Sequence, residues 1–294
     1  VNRRIERRIE IVEPGPAALV QDLGRPGHAH LGVPPSGALD QPALRLANRL
    51  VGNPEPAAGV EALLGGLRVR AHTSCTVAVT GPPVAVTVDG RPAGTHLPVH
   101  LRPGQTLALG TPEVGLRCYL AVSGGLAVEP ELGSRSRDVL SEIGPPPLRP
   151  GQLVDLGPPA GIPAGADALA PARPPAELTV PVLLGPRDDW FVDPAADLAG
   201  YWEVTAESNR VGLRLTRPDG SALRRRPERV DTELPSEGLL TGAIQVPPSG
   251  LPVVFLADHP TTGGYPVVAV VRPDALAALA QARPGTGVRF RAVG

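Results

Sequence analysis

Leu101-Arg-Pro-Gly-Gln-Thr-Leu-Ala-Leu-Gly110 recurs as Leu148-Arg-Pro-Gly-Gln-Leu-Val-Asp-Leu-Gly157, identical at seven of ten positions. A shorter third copy is Ala282-Arg-Pro-Gly-Thr-Gly-Val-Arg-Phe290. Pro-Gly suits the two central positions of a type II turn, because proline presets a negative φ and glycine accepts a positive one. Each copy runs into an apolar or β-branched segment, so the unit reads as a turn that launches a strand. Repeated units of this kind point to barrels or sandwiches built from many hairpins.

The rest of the chain agrees. Cys75-Thr-Val-Ala-Val-Thr80, Val84-Ala-Val-Thr-Val88 and Leu251-Pro-Val-Val-Phe-Leu256 are further short β-rich runs bounded by turn residues. The 38 prolines and 35 glycines punctuate such runs, which favours turns over disorder. Three short helices are expected. Asp40 caps a first over Gln41–Val51, where Leu44, Ala47, Leu50 and Val51 form a stripe that Gly52-Asn-Pro54 stops. A second starts at Pro273-Asp274 and ends at Pro284-Gly285, and a third covers Pro194 to Tyr201. The fold class is therefore mainly β.

A chain of 294 residues usually divides into two domains. Residues 158–176 hold six Pro, seven Ala and two Gly, and read as a semi-rigid linker between a half at 1–157 and a half at 177–294. Val33-Pro-Pro-Ser-Gly37 returns as Val246-Pro-Pro-Ser-Gly250, early in one half and late in the other. Either the match arises by chance in a proline-rich chain, or the termini interleave so that the two loops face one cleft.

Composition excludes several classes. The net charge is −1, which gives no electrostatic drive toward nucleic acid or acidic lipid. All 28 basic residues are arginine, so a Schiff-base lysine, a phosphate-loop lysine and a biotin-bearing lysine are ruled out. Cys75 and Cys118 lack a partner motif and read as small buried hydrophobes. No run reaches the length of a membrane helix, and the charged start Val1-Asn-Arg-Arg-Ile-Glu lacks the apolar core of a signal peptide, so a cytoplasmic protein is expected.

Three stretches carry candidate chemistry. In Gln245-Val-Pro-Pro-Ser-Gly-Leu-Pro-Val-Val-Phe-Leu-Ala-Asp-His-Pro-Thr-Thr-Gly-Gly-Tyr265, a buried strand delivers Asp258 and Thr261-Thr262-Gly263-Gly264-Tyr265 to its end. The glycine N–H groups and threonine hydroxyls suit an anion or an oxyanion, and Asp258 suits the orienting of an N–H or a water. A tight turn capped by Asp258 is the plainer alternative. In Glu207-Ser-Asn-Arg-Val-Gly-Leu-Arg-Leu215, Arg210 suits a carboxylate or phosphate and Asn209 an amide, with a surface ion pair as the alternative. The loop from Gln21 to Asp40 is polar and glycine-rich and runs into the first helix. Its His28 and His30, like His96 and His100, lack an evident third metal ligand, so no metal is expected. The run Leu223-Arg-Arg-Arg-Pro-Glu-Arg229 reads as a solvated loop.

Gly24-Arg-Pro-Gly-His28, Gly32-Val-Pro-Pro-Ser-Gly-Ala-Leu-Asp40 and Leu46-Ala-Asn-Arg-Leu-Val-Gly-Asn53 are followed in order by several further blocks. These are Tyr119-Leu-Ala-Val-Ser-Gly-Gly-Leu126, Leu132-Gly-Ser-Arg-Ser136, Gly185-Pro-Arg-Asp188, Glu207–Leu215, Gly242–Gly250 and Thr261–Pro266. Over nearly its whole length the chain thereby resembles the family of the 5-oxoprolinase C subunit, also described as allophanate hydrolase subunit 2 or the biotin-dependent carboxyltransferase A/B domain.

The resemblance implies two cyclophilin-like β-barrel domains. It also implies partners: a B subunit, which is like allophanate hydrolase subunit 1, and, in the 5-oxoprolinase system, an A subunit. That system opens 5-oxo-L-proline to L-glutamate with ATP as co-substrate, together with Mg²⁺, at a site this chain shares with the B subunit or leaves to it. On the matching positions, the expected catalytic residues are Asn209, Arg210, Asp258, Thr261 and Thr262. The expected substrate-binding residues are Gly263, Gly264, Tyr265, Ser36, Gly37, Asp40, Pro247 and Ser249. Relatives of other kinds transfer a carboxyl group from biotin to urea, or antagonise an inhibitor of a sporulation kinase. A purely structural role within the complex is a further alternative. The sequence offers no covalent biotin site of its own, since it has no lysine.

Overall fold

The computed structural model describes residues 7–164 and 173–294. Each of the three Pro-Gly units forms the expected turn. Gly104, Gly151 and Gly285 take φ of 87°, 76° and 86°, with open space where a Cβ would stand, so the backbone angle alone selects glycine there. The turns close through Gln105 N to Arg102 O, Gln152 N to Arg149 O and Thr286 N to Arg283 O. A second bond repeats in all three. The amide of Arg102, Arg149 and Arg283 donates to the side-chain oxygen of Gln105, Gln152 and Thr286 at 2.9, 3.1 and 3.0 Å. The turn is thus closed from both ends before the strand begins.

The chain divides into two compact units. The first comprises 1–25, 40–138 and 142–174, and the second 26–39, 139–141 and 175–294. Two short segments of the N-terminal half therefore belong to the second unit, an exchange not legible as a single boundary. Part of the expected linker, 165–172, lies outside the described residues.

Among the described residues, eleven strands build the first unit: β1 (Arg8–Pro14), β2 (Ala17–Gln21), β3 (Gly59–Leu63), β4 (Leu67–Ala71), β5 (Cys75–Thr80), β6 (Val86–Val88), β7 (Arg91–Ala93), β8 (Val99–Leu101), β9 (Thr106–Leu109), β10 (Arg117–Val122) and β11 (Gln152–Asp155). They form two sheets, ordered β11-β1-β4-β9-β6-β7 and β2-β3-β10-β5-β8. Strand β4 alternates buried and exposed residues, Leu67, Val69 and Ala71 inward with Arg68 and Arg70 outward. Ile9, Ile11, Leu67 and Val69 from one sheet share a core with Val20, Val60, Val77 and Leu120 from the other. Helix α1 (Gln41–Leu50) is N-capped by Asp40, whose Oδ1 accepts from Ala43 N at 3.0 Å, as expected. Buried Asn48 and Asn53 satisfy the loop that follows: Asn48 Nδ2 donates to Glu55 O and Ala57 O, and Asn53 Oδ1 accepts from Gly124 N.

The second unit centres on a closed barrel. Its strands are β12 (Glu177–Leu184), β13 (Trp202–Val204), β14 (Gly212–Thr216), β16 (Ala243–Gln245), β17 (Val253–Phe255), β19 (Val267–Val271) and β20 (Gly287–Ala292). The order is β12-β19-β16-β17-β14-β13-β20, and a parallel pairing of β12 with β20 closes it. A two-stranded ribbon, β15 (Glu237–Gly238) with β18 (Thr262–Gly263), stands apart from the barrel sheet. Helices α2 (Pro194–Ala199) and α3 (Leu276–Ala280) are short, and a 3₁₀ turn at Pro273–Ala275 precedes α3. Trp202, Phe290, Val254 and Ile244 fill the barrel, and Leu39 from the borrowed segment joins them.

Candidate active-site region

The second unit gathers most of the expected site residues, but in two separate roles. The first is a buried hub at Asp258, which is 0% exposed. Its Oδ1 accepts from Ser36 Oγ at 2.6 Å and from Arg210 Nη2 at 3.1 Å. Its Oδ2 accepts from Arg210 Nε at 2.8 Å and from the Val139 amide at 3.1 Å. Arg210 Nη2 also donates to Gly37 O at 2.7 Å, and Ser36 N to Ala257 O at 3.0 Å. Both borrowed segments, 26–39 and 139–141, are therefore tied to Asp258, a short way past β17.

The hub changes the meaning of two expected catalytic residues. Arg210 spends its fork on Asp258, a bidentate arrangement that fixes geometry as well as charge, and the ligand carboxylate expected there finds that fork taken. Asp258 has its acceptor positions filled and is shut off from solvent, so the substrate N–H or water expected to meet it has no access. Both side chains instead hold the backbone at Ser36, Gly37 and Val139. Ser36 and Gly37 are held at φ of 52° and 93°, and for Ser36 this left-handed conformation is strained. The hub hydrogen bonds to Ser36 Oγ, Ser36 N and Gly37 O are what sustain it.

The second role is surface-facing. Thr262 and Gly263 form β18 and pair with Glu237 and Gly238. Leu239 N donates to Thr261 O at 2.9 Å, and Gln245 Nε2 to Tyr265 O at 3.0 Å. A Cβ on Gly263 would lie 2.6 Å from Gln245 Nε2 and 2.9 Å from Leu239 Cδ1, so a larger residue there would displace the ends of those side chains. The ribbon is braced by Arg187, which makes a two-pronged ion pair with Glu237 and holds the Glu237 carboxyl below the usual carboxylate range. Backbone groups of Thr262 and Gly263 are thus engaged in a ladder rather than arrayed as an open anion cradle. Thr262, Gly264 and Tyr265 remain exposed, and Thr261 is half-buried.

Two cavities flank the Val246–Gly250 loop. One, of about 410 Å³, is lined by Gly264 and Tyr265 with Pro248, Trp190 and Arg225. The other, of about 390 Å³, is lined by Pro247 and Ser249 with Thr205, Glu207 and Arg214. Asn209 is exposed, and its Oδ1 accepts from Val211 N at 2.8 Å and Gly212 N at 3.3 Å, an Asx turn that starts β14. Ser249 Oγ accepts from Leu251 N at 3.3 Å in a similar local turn. The two Val-Pro-Pro-Ser-Gly copies are not equivalent, since Ser36 is buried in the hub and Ser249 is exposed.

Asp40 lies in the first unit, where it caps α1 and its amide donates to Tyr119 Oη at 2.8 Å. Tyr119 in turn donates to Glu61 at 2.8 Å. The substrate-binding expectation for Asp40 thus meets a carboxylate already serving a helix terminus. Both cysteines are buried, and burial pushes the Cys75 thiol up to about 11. His28 and His30 have ring centroids 6.5 Å apart, and no group of three or more His, Cys, Asp or Glu is placed to hold a metal among the described residues. No helix among them is long and apolar enough to cross a membrane.

The arginine run is a solvated loop at Arg224, Arg226 and Glu228, as its composition suggests, but Arg225 and Arg229 are half-buried. Arg225 stacks over the buried Trp190 at 5.8 Å, with Arg229 over the same ring at 5.1 Å. Arg225 Nη2 donates to Val246 O at 3.3 Å. Arg225 is thus a half-buried part of the larger cavity's wall.

The second unit is thus a closed seven-strand barrel that takes in two segments of the N-terminal half and ties them to a buried aspartate. The family model described as "Carboxyltransferase domain, subdomain A and B" matches residues 31–292, and the chain belongs to that family. It is 37% identical to the 5-oxoprolinase C subunit of Escherichia coli over 96% of this chain and 90% of that protein. It is 32% identical to the urea amidolyase of Lachancea kluyveri, over 96% of this chain but 17% of the longer enzyme. Among solved structures, TTHA0988 superposes with a TM-score of 0.86 at 34% identity, over 99% of this chain and 57% of that one. The Kluyveromyces lactis urea amidolyase superposes equally well, TM-score 0.86, at 28% identity and over 19% of its length.

Proposed function

We propose that the chain is the C subunit of an ATP-dependent 5-oxoprolinase, working with the A and B subunits to turn 5-oxo-L-proline, ATP and water into L-glutamate, ADP and phosphate. The observation that carries this reading is the 37% identity to the Escherichia coli C subunit. The chemistry is consistent with a division of labour. A five-membered lactam is an unreactive amide, and phosphorylating its carbonyl oxygen creates both a leaving group and an electrophilic carbon.

A phosphate-loop motif is missing from the sequence, and the larger of the two cavities is a poor host for a nucleotide. The chain has no lysine for a phosphate loop, and the larger cavity is lined by Asp231 and Glu233, which repel a triphosphate. We therefore assign ATP and its Mg²⁺ to the partners. What this chain contributes is a surface that orients the small substrate. Exposed Thr262 and Asn209 are its candidate ligand-facing groups, and the Arg210–Asp258 hub holds the neighbouring backbone in place. Thr262→Ala is expected to cut coupled turnover about tenfold or more while changing stability by less than about 0.5 kcal/mol, as for other exposed positions. Unchanged turnover would remove Thr262 from the site.

A second reading has its own support in the family description and the urea amidolyase relatives: carboxyl transfer from biotin to urea or another amide. Biotin would then arrive on a carrier other than these 294 residues, which lack lysine. The two readings separate in one assay of ADP release by the chain assembled with its partners. Release dependent on 5-oxoproline supports the first. Release dependent on urea, bicarbonate and a biotin carrier supports the second and overturns the first.

A further inference from the structure

Residues that alternate with those of the barrel core form an apolar cluster of their own, Leu239, Ala243, Phe255 and Val267 with Val253 and Val270 packed against it. An amide adjoins this cluster. Gln245, at the end of β16, stands in register with Val253 on one side and Val267 on the other, and it is 6% exposed. A buried amide between two valines is costly unless it is hydrogen-bonded. Its Nε2 donates to Tyr265 O at 3.0 Å, which ties the barrel wall to the Thr261–Pro266 loop.

The barrel is irregular at this point. Ile244 opposes Ala269 but Gln245 opposes Val267, so Val268 is an extra residue on β19. Val268 and Ala269 both belong to the barrel core, while Val267 belongs to the other cluster. A bulge of this sort re-aims the side chains beside it. Val246 N donates to Pro266 O at 3.0 Å, next to the bond from Gln245 to Tyr265 O. At its other end the loop is held by Leu239 N on Thr261 O, and between the two ends Thr262 and Gly263 pair with β15. A ribbon of two residues a side is marginal by itself, so its placement depends on what ties it down. Arg187 braces the β15 side through Glu237, and Gln245 braces the β18 side. Gly263 lies against the amide itself, since a Cβ there would stand 2.6 Å from Gln245 Nε2. The side chains of Thr262 and Tyr265 stay exposed.

We propose that Gln245 is a positioning residue, whose buried amide holds the Thr261–Pro266 loop to the barrel and so fixes where Thr262 and Tyr265 stand. It touches no reacting atom; it acts through the loop. The effect on turnover rests on the 5-oxoprolinase reading, whereas the anchoring of the loop does not.

Two variants of nearly the same shape test it. Gln245→Met removes the donor and suits the apolar surroundings, and Gln245→Glu sets an ionised acceptor opposite the Tyr265 carbonyl at neutral pH. Amide hydrogen exchange of the full chain reads the loop without any substrate. Peptides covering 237–239 and 261–266 are expected to exchange about tenfold faster or more in both variants, while those covering β14 and β20 keep the wild-type rate in Gln245→Met. In the complex with the A and B subunits, kcat for glutamate formation is expected to fall about tenfold with KM for 5-oxo-L-proline changed less than about threefold, the mark of lost orientation. Unchanged exchange of 261–266 in both variants overturns the proposal. So does faster exchange in every barrel strand of both, which would make Gln245 a general packing residue. Wild-type kcat in both variants overturns it too, and leaves the 5-oxoprolinase reading standing. Faster exchange confined to the loop, with no 5-oxoproline-dependent ADP release from the wild-type complex, would sustain the anchoring and discard the 5-oxoprolinase reading.

Discussion

Two of the buried aspartates, Asp22 in the first unit and Asp258 in the second, each accept four hydrogen bonds, and they do so from different chemistry. In the first unit Asp22 accepts from Gly24 N, Arg135 N and the hydroxyls of Ser134 and Ser136, all neutral donors, at 2.5 to 2.8 Å. In the second unit Asp258 accepts from a guanidinium twice, from one hydroxyl and from one amide. A carboxylate served by hydroxyls leaves behind, when removed, groups that rotate toward other partners. A carboxylate served by a buried guanidinium leaves behind a charge. The first arrangement closes a loop; the second commits the fold to a pair.

The largest effect is therefore expected in the second unit. Asp258→Ala strands Arg210 and is expected to cost about 3–5 kcal/mol of stability, measured by urea unfolding. A loss below about 1 kcal/mol would mean that the pair is not buried as described. Replacing both partners, Arg210→Met with Asp258→Leu, is expected to restore part of that loss, because no charge is then left unpaired. Asp22→Ala is expected to cost less, about 2–3 kcal/mol, from orphaned neutral donors. If it matched or exceeded Asp258→Ala, charge would not be what distinguishes the two hubs.

Gly263→Ala comes next. The added methyl meets Gln245 and Leu239 and is expected to cost about 1–2 kcal/mol. It should also loosen the bond from Gln245 to Tyr265 O, so turnover is expected to fall with stability. Turnover unchanged in a destabilised variant would detach the ribbon from the site.

The smallest effect is on pH dependence. Burial raises the Tyr119 hydroxyl well above its ordinary value, and raises the Cys75 thiol from 9.0 to about 11. Groups whose folded pKa is raised give stability that is complete below the unfolded pKa and is lost as pH rises. Stability is therefore expected to decline from about pH 9 upward. Tyr119→Phe, although it lowers stability at pH 7 by removing the hydroxyl that donates to Glu61, is expected to flatten that alkaline slope. Cys75 should resist thiol reagents at pH 8 in the folded chain and react once unfolded.

Local chemistry was legible and distant pairing was not. The Pro-Gly turns, the Asp40 cap and the start of α2 at Pro194 rest on residues within four positions of each other, and the structure has them where the sequence puts them. The hub joins Ser36 to Asp258 across 222 positions and Val139 to Asp258 across 119, and no local pattern announces either. Arg210 looked like a ligand-binding arginine because its loop is polar; its partner lies 48 residues away, beyond the end of another strand. Arg225 looked solvated for the same reason, since a run of charge does not disclose that one of its guanidinium groups lies over an indole. The motif positions were informative, but which of them meet solvent is a property of the folded barrel.

The most direct test of the proposed function is formation of L-glutamate from 5-oxo-L-proline and ATP by the A and B subunits, with this chain present and with it left out. Glutamate and ADP are expected in equal amounts only when the chain is included. Glutamate formed at the same rate without it, or none formed from a complex that assembles and binds 5-oxoproline, would contradict the assignment.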